Sequence, residues 1–303
     1  MNRTLFHLSS RRIIVYLTGF ADEASGDING QILATKTLLW KNIEARNVNG
    51  KNIHDISEEE FEEVYKAVSE SEVNINCFGS AIANWGKDIR EPFQISVDEA
   101  KRAIIRMKKL GTKLIRVMSY AVIKENSPEN QMKEERFKRL MELKRMFDDS
   151  GITMVHENCM NYGGMGYTYT LELIENVPGL RLVFDTGNPI QSVDYSANGK
   201  QMQSSIDFYS HVKEDIEYIH IKDGIYNPAV QNVDWCFPGE GQGFVKEILT
   251  DLIQNGFDGG ISIEPHINVV YHQNPQISES ENRFNNYIKY GKMLEEIIKE
   301  IKV

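Results

Sequence analysis

The feature that most limits the possible folds is a repeat: eight short apolar, β-branched runs alternate with amphipathic helical stretches. The runs are IIVYLTGF (13–20), LLWKNIEAR (38–46), VNINCFGS (73–80), KLIRVMSY (113–120), ITMVHEN (152–158), LRLVFDTGN (180–188), IEYIHIKD (216–223) and GGISIEP (259–265). Most are near-continuously apolar, the pattern of parallel strands covered on both faces. Between them, SEEEFEEVYKAVSES (57–71) opens with Ser57 and Glu60 at capping-box spacing. SVDEAKRAIIRMKKLG (96–111) repeats the device with Ser96 and Glu99, and Gly111 suits a C-cap. PENQMKEERFKRLMELKRMFDDSG (128–151) is the longest helical stretch, with proline at its start and Gly151 after its end. TYTLELIENV, MQSSIDFYSHVKEDI and FVKEILTDLIQNG follow the next three strands, and a charged helix from about Glu279 to Lys302 closes the chain. The first unit is the weakest, because GDINGQILATKTL makes a poor helix. No Pro/Gly/Ser-rich linker divides the chain, and no GxGxxG follows the first strand. Eight strand–helix units in 303 residues fit an α/β fold of the (β/α)8 TIM barrel type, with residues 1–303 as a single domain, better than a doubly wound sheet.

Apolar content of 41% and charged content of 26% are ordinary for a soluble globular protein. The net charge of −10 opposes a nucleic-acid partner. KRAIIRMKK (101–109) reads as the solvated face of a helix. Cys77, Cys159 and Cys236 are too few and too scattered for a disulfide framework or a CxxC metal site, which favours a reducing compartment. MNRTLFHLSSRR followed by IIVYLTGFA faintly resembles a secretory leader. Its apolar run is short, however, and leads into ADEAS rather than a small-residue cleavage site, so it reads as the first strand. No run approaches the roughly 20 apolar residues of a membrane span. The expectation is a soluble cytoplasmic protein with no membrane partner.

In such barrels chemistry sits at the C-terminal ends of the strands. Strand five ends in Glu157, strand six in Asp185 and strand eight in Glu264, while strand seven carries His220. Taken singly, Asp185 in FDTGN (184–188) reads as a turn or helix cap. Three buried carboxylates gathered together would repel one another unless something positive sits between them. A divalent cation is the economical solution, with neutral imidazole as a further ligand. One histidine and three oxygen donors suit manganese, magnesium or cobalt better than a thiolate-rich zinc site, with zinc kept as a candidate.

HEN (156–158), DTGN (185–188), HIKD (220–223), PGEGQG (238–243) and SIEPH (262–266) resemble the sugar isomerase/epimerase branch of the xylose isomerase-like barrels. That branch includes the ketose 3-epimerases related to tagatose and psicose epimerases. The similarity runs from GFADE near strand one to SIEPH at strand eight. The resemblance implies that Glu157, Asp185, His220 and Glu264 bind one divalent metal, and that the two glutamates act as acid and base. A ketose chelating the metal through its carbonyl and a neighbouring hydroxyl would lose a proton to give a stabilised enediolate. Two carboxylates across the sugar would then remove a proton from one face and return it on the other. An aldose–ketose isomerase would use the same intermediate.

Further substrate-binding candidates are weighed against structural roles. Lys222 shares the inward side with His220, so it suits a substrate oxygen or phosphate, or a salt bridge. Arg116 interrupts strand four as a clamp or an inner-barrel ion pair. His266 touches substrate or is a loop histidine. Asn188 stands where related sequences often carry a substrate- or metal-binding histidine, a departure that leaves the substrate open. Lys87, with Arg116 and Lys222, permits a phosphate. Glu240 could reach the rim, although the glycines around it signal a tight turn. His156 should point away from the interior in a structural role. NYGGMG (161–166) lacks the lysine of a phosphate loop and reads as a plain loop. Trp85 and Trp235 fall where walls for a sugar are expected.

The expected partner is a small sugar or sugar phosphate, and a homodimer or homotetramer is left open. An apurinic-site endonuclease shares the barrel and its metal core but needs three zinc ions and more histidines than the seven present, with Asn188 at one expected ligand position. A dehydratase of a keto-inositol or sugar acid on the same metal site is not separated by sequence. A non-enzymatic sugar-binding barrel is the third reading.

Overall fold

The computed structural model describes residues 15–197, 201–267 and 278–301. Each apolar run contributes one parallel strand: β1 (Tyr16–Gly19), β2 (Asn42–Ala45), β3 (Asn74–Gly79), β4 (Leu114–Val117), β5 (Thr153–Glu157), β6 (Arg181–Asp185), β7 (Ile216–Ile221) and β8 (Gly260–Ile263). The hydrogen-bonded order is β1-β8-β7-β6-β5-β4-β3-β2. A parallel bridge from Phe20 to Glu44 brings β1 to β2, so the barrel is nearly closed. The helices are α1 (Ile28–Thr37), α2 (Glu58–Glu70), α3 (Gln94–Leu110), α4 (Lys133–Asp148), α5 (Tyr167–Asn176), α6 (Ser205–Val212), α7 (Val245–Gln254) and α8 (Glu279–Glu300). Among the described residues no helix is long and apolar enough to cross a membrane. The basic stretch MNRTLFHLSSRR lies outside the described residues.

Several local expectations change in the tertiary setting. The α2 box forms as read: the Glu60 amide donates to Ser57 Oγ at 3.1 Å, and the Ser57 amide to Glu60 Oε2 at 2.7 Å. Its apparent twin does not. Helix α3 begins at Gln94, so Ser96 and Glu99 lie inside it, both buried. Ser96 Oγ instead accepts the Tyr120 hydroxyl at 3.0 Å, and Glu99 pairs with Lys87. Gly111 does take the left-handed conformation, at φ 74°, as a C-cap. Helix α4 starts at Lys133 rather than Pro128, because buried Gln131 ties itself to both the N–H and C=O of Ile123 (2.8 and 3.1 Å) and closes the preceding segment as a loop. The poor first helix forms all the same. Asp27 caps α1 by accepting the Gly30 amide at 3.0 Å, and its buried Ile28 and Ile32 join the core, so tertiary packing overrides weak propensity.

The HIKD run ends its barrel strand at Ile221, and Asp223 opens a hairpin of Asp223–Asn227 with Asn232–Cys236. The Asp223 carboxylate accepts the amides of Gly239, Gly241 and Gly243 at 2.8, 3.0 and 2.8 Å. A Cβ on Gly241 would lie 2.4 Å from that carboxylate, which is why PGEGQG is glycine-rich.

Inside the barrel, Cys77, Val155, Val183 and Tyr218 form an apolar layer packed by Tyr16 and Leu114. Side chains alternate along a strand. Two residues beyond Leu114, Val155, Val183 and Tyr218, the same inward face therefore carries Arg116, Glu157, Asp185 and His220.

Candidate metal centre

Glu157, Asp185, His220 and Glu264 are all buried, and their ligating atoms lie within 4.8 Å of one another. His220 Nδ1 is 3.5 Å from Glu157 Oε1, 3.7 Å from Glu264 Oε2 and 3.9 Å from Asp185 Oδ2. Asp185 serves two ends at once. Its Oδ1 accepts the amides of Gly187 and Asn188, each at 2.7 Å, as a turn cap would, while Oδ2 faces the cluster. Asn158 secures the strand tip, donating to the Asp185 carbonyl at 3.0 Å and accepting its amide at 2.7 Å.

His220 is oriented from behind. Its Nε2 lies 3.1 Å from both oxygens of Glu44, a fully buried carboxylate whose Oε2 also accepts the hydroxyls of Tyr218 (3.0 Å) and Ser262 (2.6 Å). A proton on Nε2 leaves Nδ1 as the free ligand nitrogen, the arrangement of a carboxylate-supported metal histidine.

Three basic side chains interleave the acids. Arg116 bonds Glu157 Oε2 at 2.8 Å, and Asn188 Nδ2 donates to Glu157 Oε1 at 2.9 Å. Lys222 Nζ reaches Asn188 Oδ1 at 2.8 Å, Asp185 Oδ2 at 3.1 Å and Glu264 Oε2 at 3.4 Å. Arg46 joins Glu264 Oε1 (3.0 Å) to Asp22 (2.9 Å) and Glu23 (3.2 Å). Burial pushes Glu157 upward, but Arg116 and His220 outweigh it and hold the carboxyl at about 2. Burial likewise opposes ionisation of Glu264, which Lys222, His266 and Arg46 hold well below the usual range. At Asp185 burial wins over Lys222, and the carboxyl rises to about 7.

The balance of this network can be counted: Asp22, Glu23, Glu44, Glu157, Asp185 and Glu264 face Arg46, Arg116 and Lys222. Burial favours the neutral imidazole of His220, but Glu44 and Glu157 outweigh it and push its pKa up to about 10. Even with that imidazolium counted and Asp185 half protonated near neutral pH, negative charge is in excess. Apart from the Asp185–Lys222 ion pair, Asp185 Oδ2 and His220 Nδ1 are buried without a hydrogen bond. Both facts fit a divalent cation among one imidazole nitrogen and three carboxylate oxygens. Lys222 shares two of those carboxylates and would compete there.

The cluster floors a cavity of about 470 Å³. Arg116, Asn188, Lys222 and His266 line it, as do Trp85 and Trp235. The Lys222 ammonium lies 5.4 Å from the Trp235 ring centre, and His266 Nε2 is 3.6 Å from Glu264 Oε1. Two expected contributors are elsewhere. Lys87 is tied to Glu99, and Glu240 is exposed because its loop wraps Asp223; neither lines the cavity. His156 points outward, with Nε2 3.0 Å from Ser119 Oγ, and burial lowers its pKa to about 4. Glu44 and Arg46 escaped the reading of the sequence. The signal was present, since both interrupt the run NIEAR at alternate, inward positions.

The sequence pattern of the xylose isomerase-like TIM barrel matches residues 39–286. No curated protein matches the chain. Among solved structures, the chain is similar to D-allulose 3-epimerase from Methylomonas sp. in complex with D-allulose: 15% identity over 96% of this chain and 99% of that one, TM-score 0.65. It is also similar to the probable 3-DHS dehydratase AsbF of petrobactin synthesis from Bacillus anthracis (14% identity, 93% and 99% covered, TM-score 0.65). A third is the IOLI protein with a bound zinc atom (15% identity, 95% and 99% covered, TM-score 0.67). At such identities these likenesses show the fold, whereas the family pattern spans most of the sequence. The chain belongs to the xylose isomerase-like TIM barrel family.

Proposed function

We propose that this protein is a cytoplasmic, metal-dependent isomerase or epimerase of a sugar or sugar phosphate, and that its reaction is ketose 3-epimerisation. The observation that carries the reading is the matched setting of two glutamates. Glu157 on β5 and Glu264 after β8 each turn one oxygen toward His220 Nδ1 and the other onto a guanidinium, Arg116 and Arg46 respectively. Two carboxyl groups on separate walls of one cavity, one ionised to take a proton and one able to carry a proton back, are what removal and return on opposite faces requires.

Glu157, Asp185, His220 and Glu264 would hold the ion, and the oxygen-rich donor set suits manganese, magnesium or cobalt, with zinc also compatible. When bound, such a cation supplies Lewis acidity that acidifies the C–H beside a carbonyl. The chain's own residues do the rest. One glutamate, kept ionised by its arginine, takes the proton; the other first gains a proton from solvent and then returns it on the opposite face. Lys222 and Asn188 offer an ammonium and an amide to substrate hydroxyls, and Trp85 and Trp235 supply walls for the sugar.

The test is solvent-deuterium exchange into free and phosphorylated ketoses, run with manganese and with chelator. Metal-dependent deuterium incorporation beside the carbonyl, with every substrate oxygen retained, supports epimerisation. Loss of water would move the assignment to a dehydratase. No exchange and no product across the panel would overturn it.

A further inference from the structure

The catalytic cavity does not end at its own walls. Through Trp85, Met160 and Gln191, which line both spaces, it continues into a second chamber of about 430 Å³ on the same barrel face. The lining changes character there: Val122, Met165, Val193 and Tyr195 replace the charged floor. Trp85 and Met160, at the junction, are 54% and 47% exposed, unusual for large apolar side chains flanking a polar site.

The walls are built rather than loose. Next in chain to the wall residue Ala121, Tyr120 holds a left-handed conformation at φ 66°, as does Ala83, two residues before Trp85, at 53°; the Tyr120 amide bonds the Ala83 carbonyl at 2.6 Å. Such strain at non-glycine residues concentrates where surroundings fix a binding wall. The Tyr195 amide donates to the Met165 carbonyl at 3.0 Å, and Gln203 Nε2 bridges the carbonyls of Gly164 and Val193 at 2.8 and 3.0 Å. A chamber fixed in this way exacts little ordering cost from a ligand.

Charge decides what enters it. Among the described residues, the lysines and arginines that line the catalytic cavity are Arg46, Arg116 and Lys222, each already paired with carboxylates. Among the described residues lining the chamber, exposed Lys124 is the one that carries a positive charge. We propose that this chamber is the subsite for an apolar aryl or alkyl substituent carried by the sugar ketone at the end remote from its reacting carbon. The inference rests on the sugar-ketone reading above for the position of the head group.

The experiment titrates the manganese-supplemented protein by calorimetry with a ketohexose, its 6-phosphate and its 6-O-benzyl ether. In parallel, benzyl alcohol is titrated while the methyl resonances of Val122, Met165 and Val193 are followed by NMR. The benzyl ether should bind at least about tenfold tighter than the parent sugar, and benzyl alcohol should shift the chamber methyls. In Val122→Asp and Val193→Asp the ratio of benzyl ether to parent affinity should fall to about one; two variants guard against one that fails to fold. Equal affinity for ether and parent, or tightest binding of the 6-phosphate, would overturn the proposal. Shifted chamber methyls with no sugar binding would instead remove the sugar-ketone reading and leave the chamber standing. If neither sugar nor benzyl alcohol binds, both fall.

Discussion

Glu44 decides which nitrogen His220 offers to the cluster. Everything around its carboxylate donates: the imidazole Nε2, the Tyr218 hydroxyl and the Ser262 hydroxyl. An amide at this position would set an NH2 against those donors. Glu44→Gln is therefore expected to weaken manganese or cobalt binding by about 10–100-fold, read by titrating chelator-treated protein. Unchanged affinity would show that packing alone orients the ring. Lys222→Met should act with the opposite sign on the metal. Removing the ammonium frees Asp185 and Glu264, so manganese should bind more tightly. The metal-free protein should lose less than the about 3–5 kcal/mol of a broken buried pair, because Asp185, raised to about 7, can take up a proton. Urea titration with and without manganese checks both halves. At this scale strand parity was a sound guide where it was applied: it placed Lys222 inward and His156 outward, while the same period at Glu44 and Arg46 went unread. What parity could not show is that Lys87, a basic residue near the rim in sequence, spends its charge on Glu99.

Two helices with the same N-terminal sequence device fold differently, and the contrast is measurable. At α2 the reciprocal box is made; at α3 the corresponding serine lies within the helix, bonded to Tyr120. Ser57→Ala should cost about 1 kcal/mol and speed hydrogen exchange of the first α2 amides. Ser96→Ala should cost about 0.5–1.5 kcal/mol through the lost buried hydrogen bond, while the first-turn amides of α3 keep their protection. Equal loss of protection at both helix starts would contradict the assigned boundaries. Strands were more legible than helix starts. A buried apolar run has a chemical signature, whereas a first turn is chosen by whichever neighbour captures the capping group, as Gln131 does ahead of α4.

Across the whole barrel, the excess of carboxylates over fixed cations at one mouth makes folding and ion binding a linked pair. Manganese at about 100 times its Kd should add about 2.7 kcal/mol of stability and raise Tm by several degrees, with chelator reversing the gain. A Tm indifferent to manganese, magnesium, cobalt and zinc would count against an ion at these donors.

The sequence by itself determined the number of strand–helix units, the parallel barrel and the inward positions of Glu157, Asp185, His220 and Glu264. Each of these follows from a short-range period of apolar and polar residues along single strands. Tertiary structure decided the partners: Glu44 meets His220 across 176 residues, and Arg46 meets Glu264 across 218. Those pairings depend on how the strands are staggered when the barrel closes, a through-space distance that no local periodicity encodes.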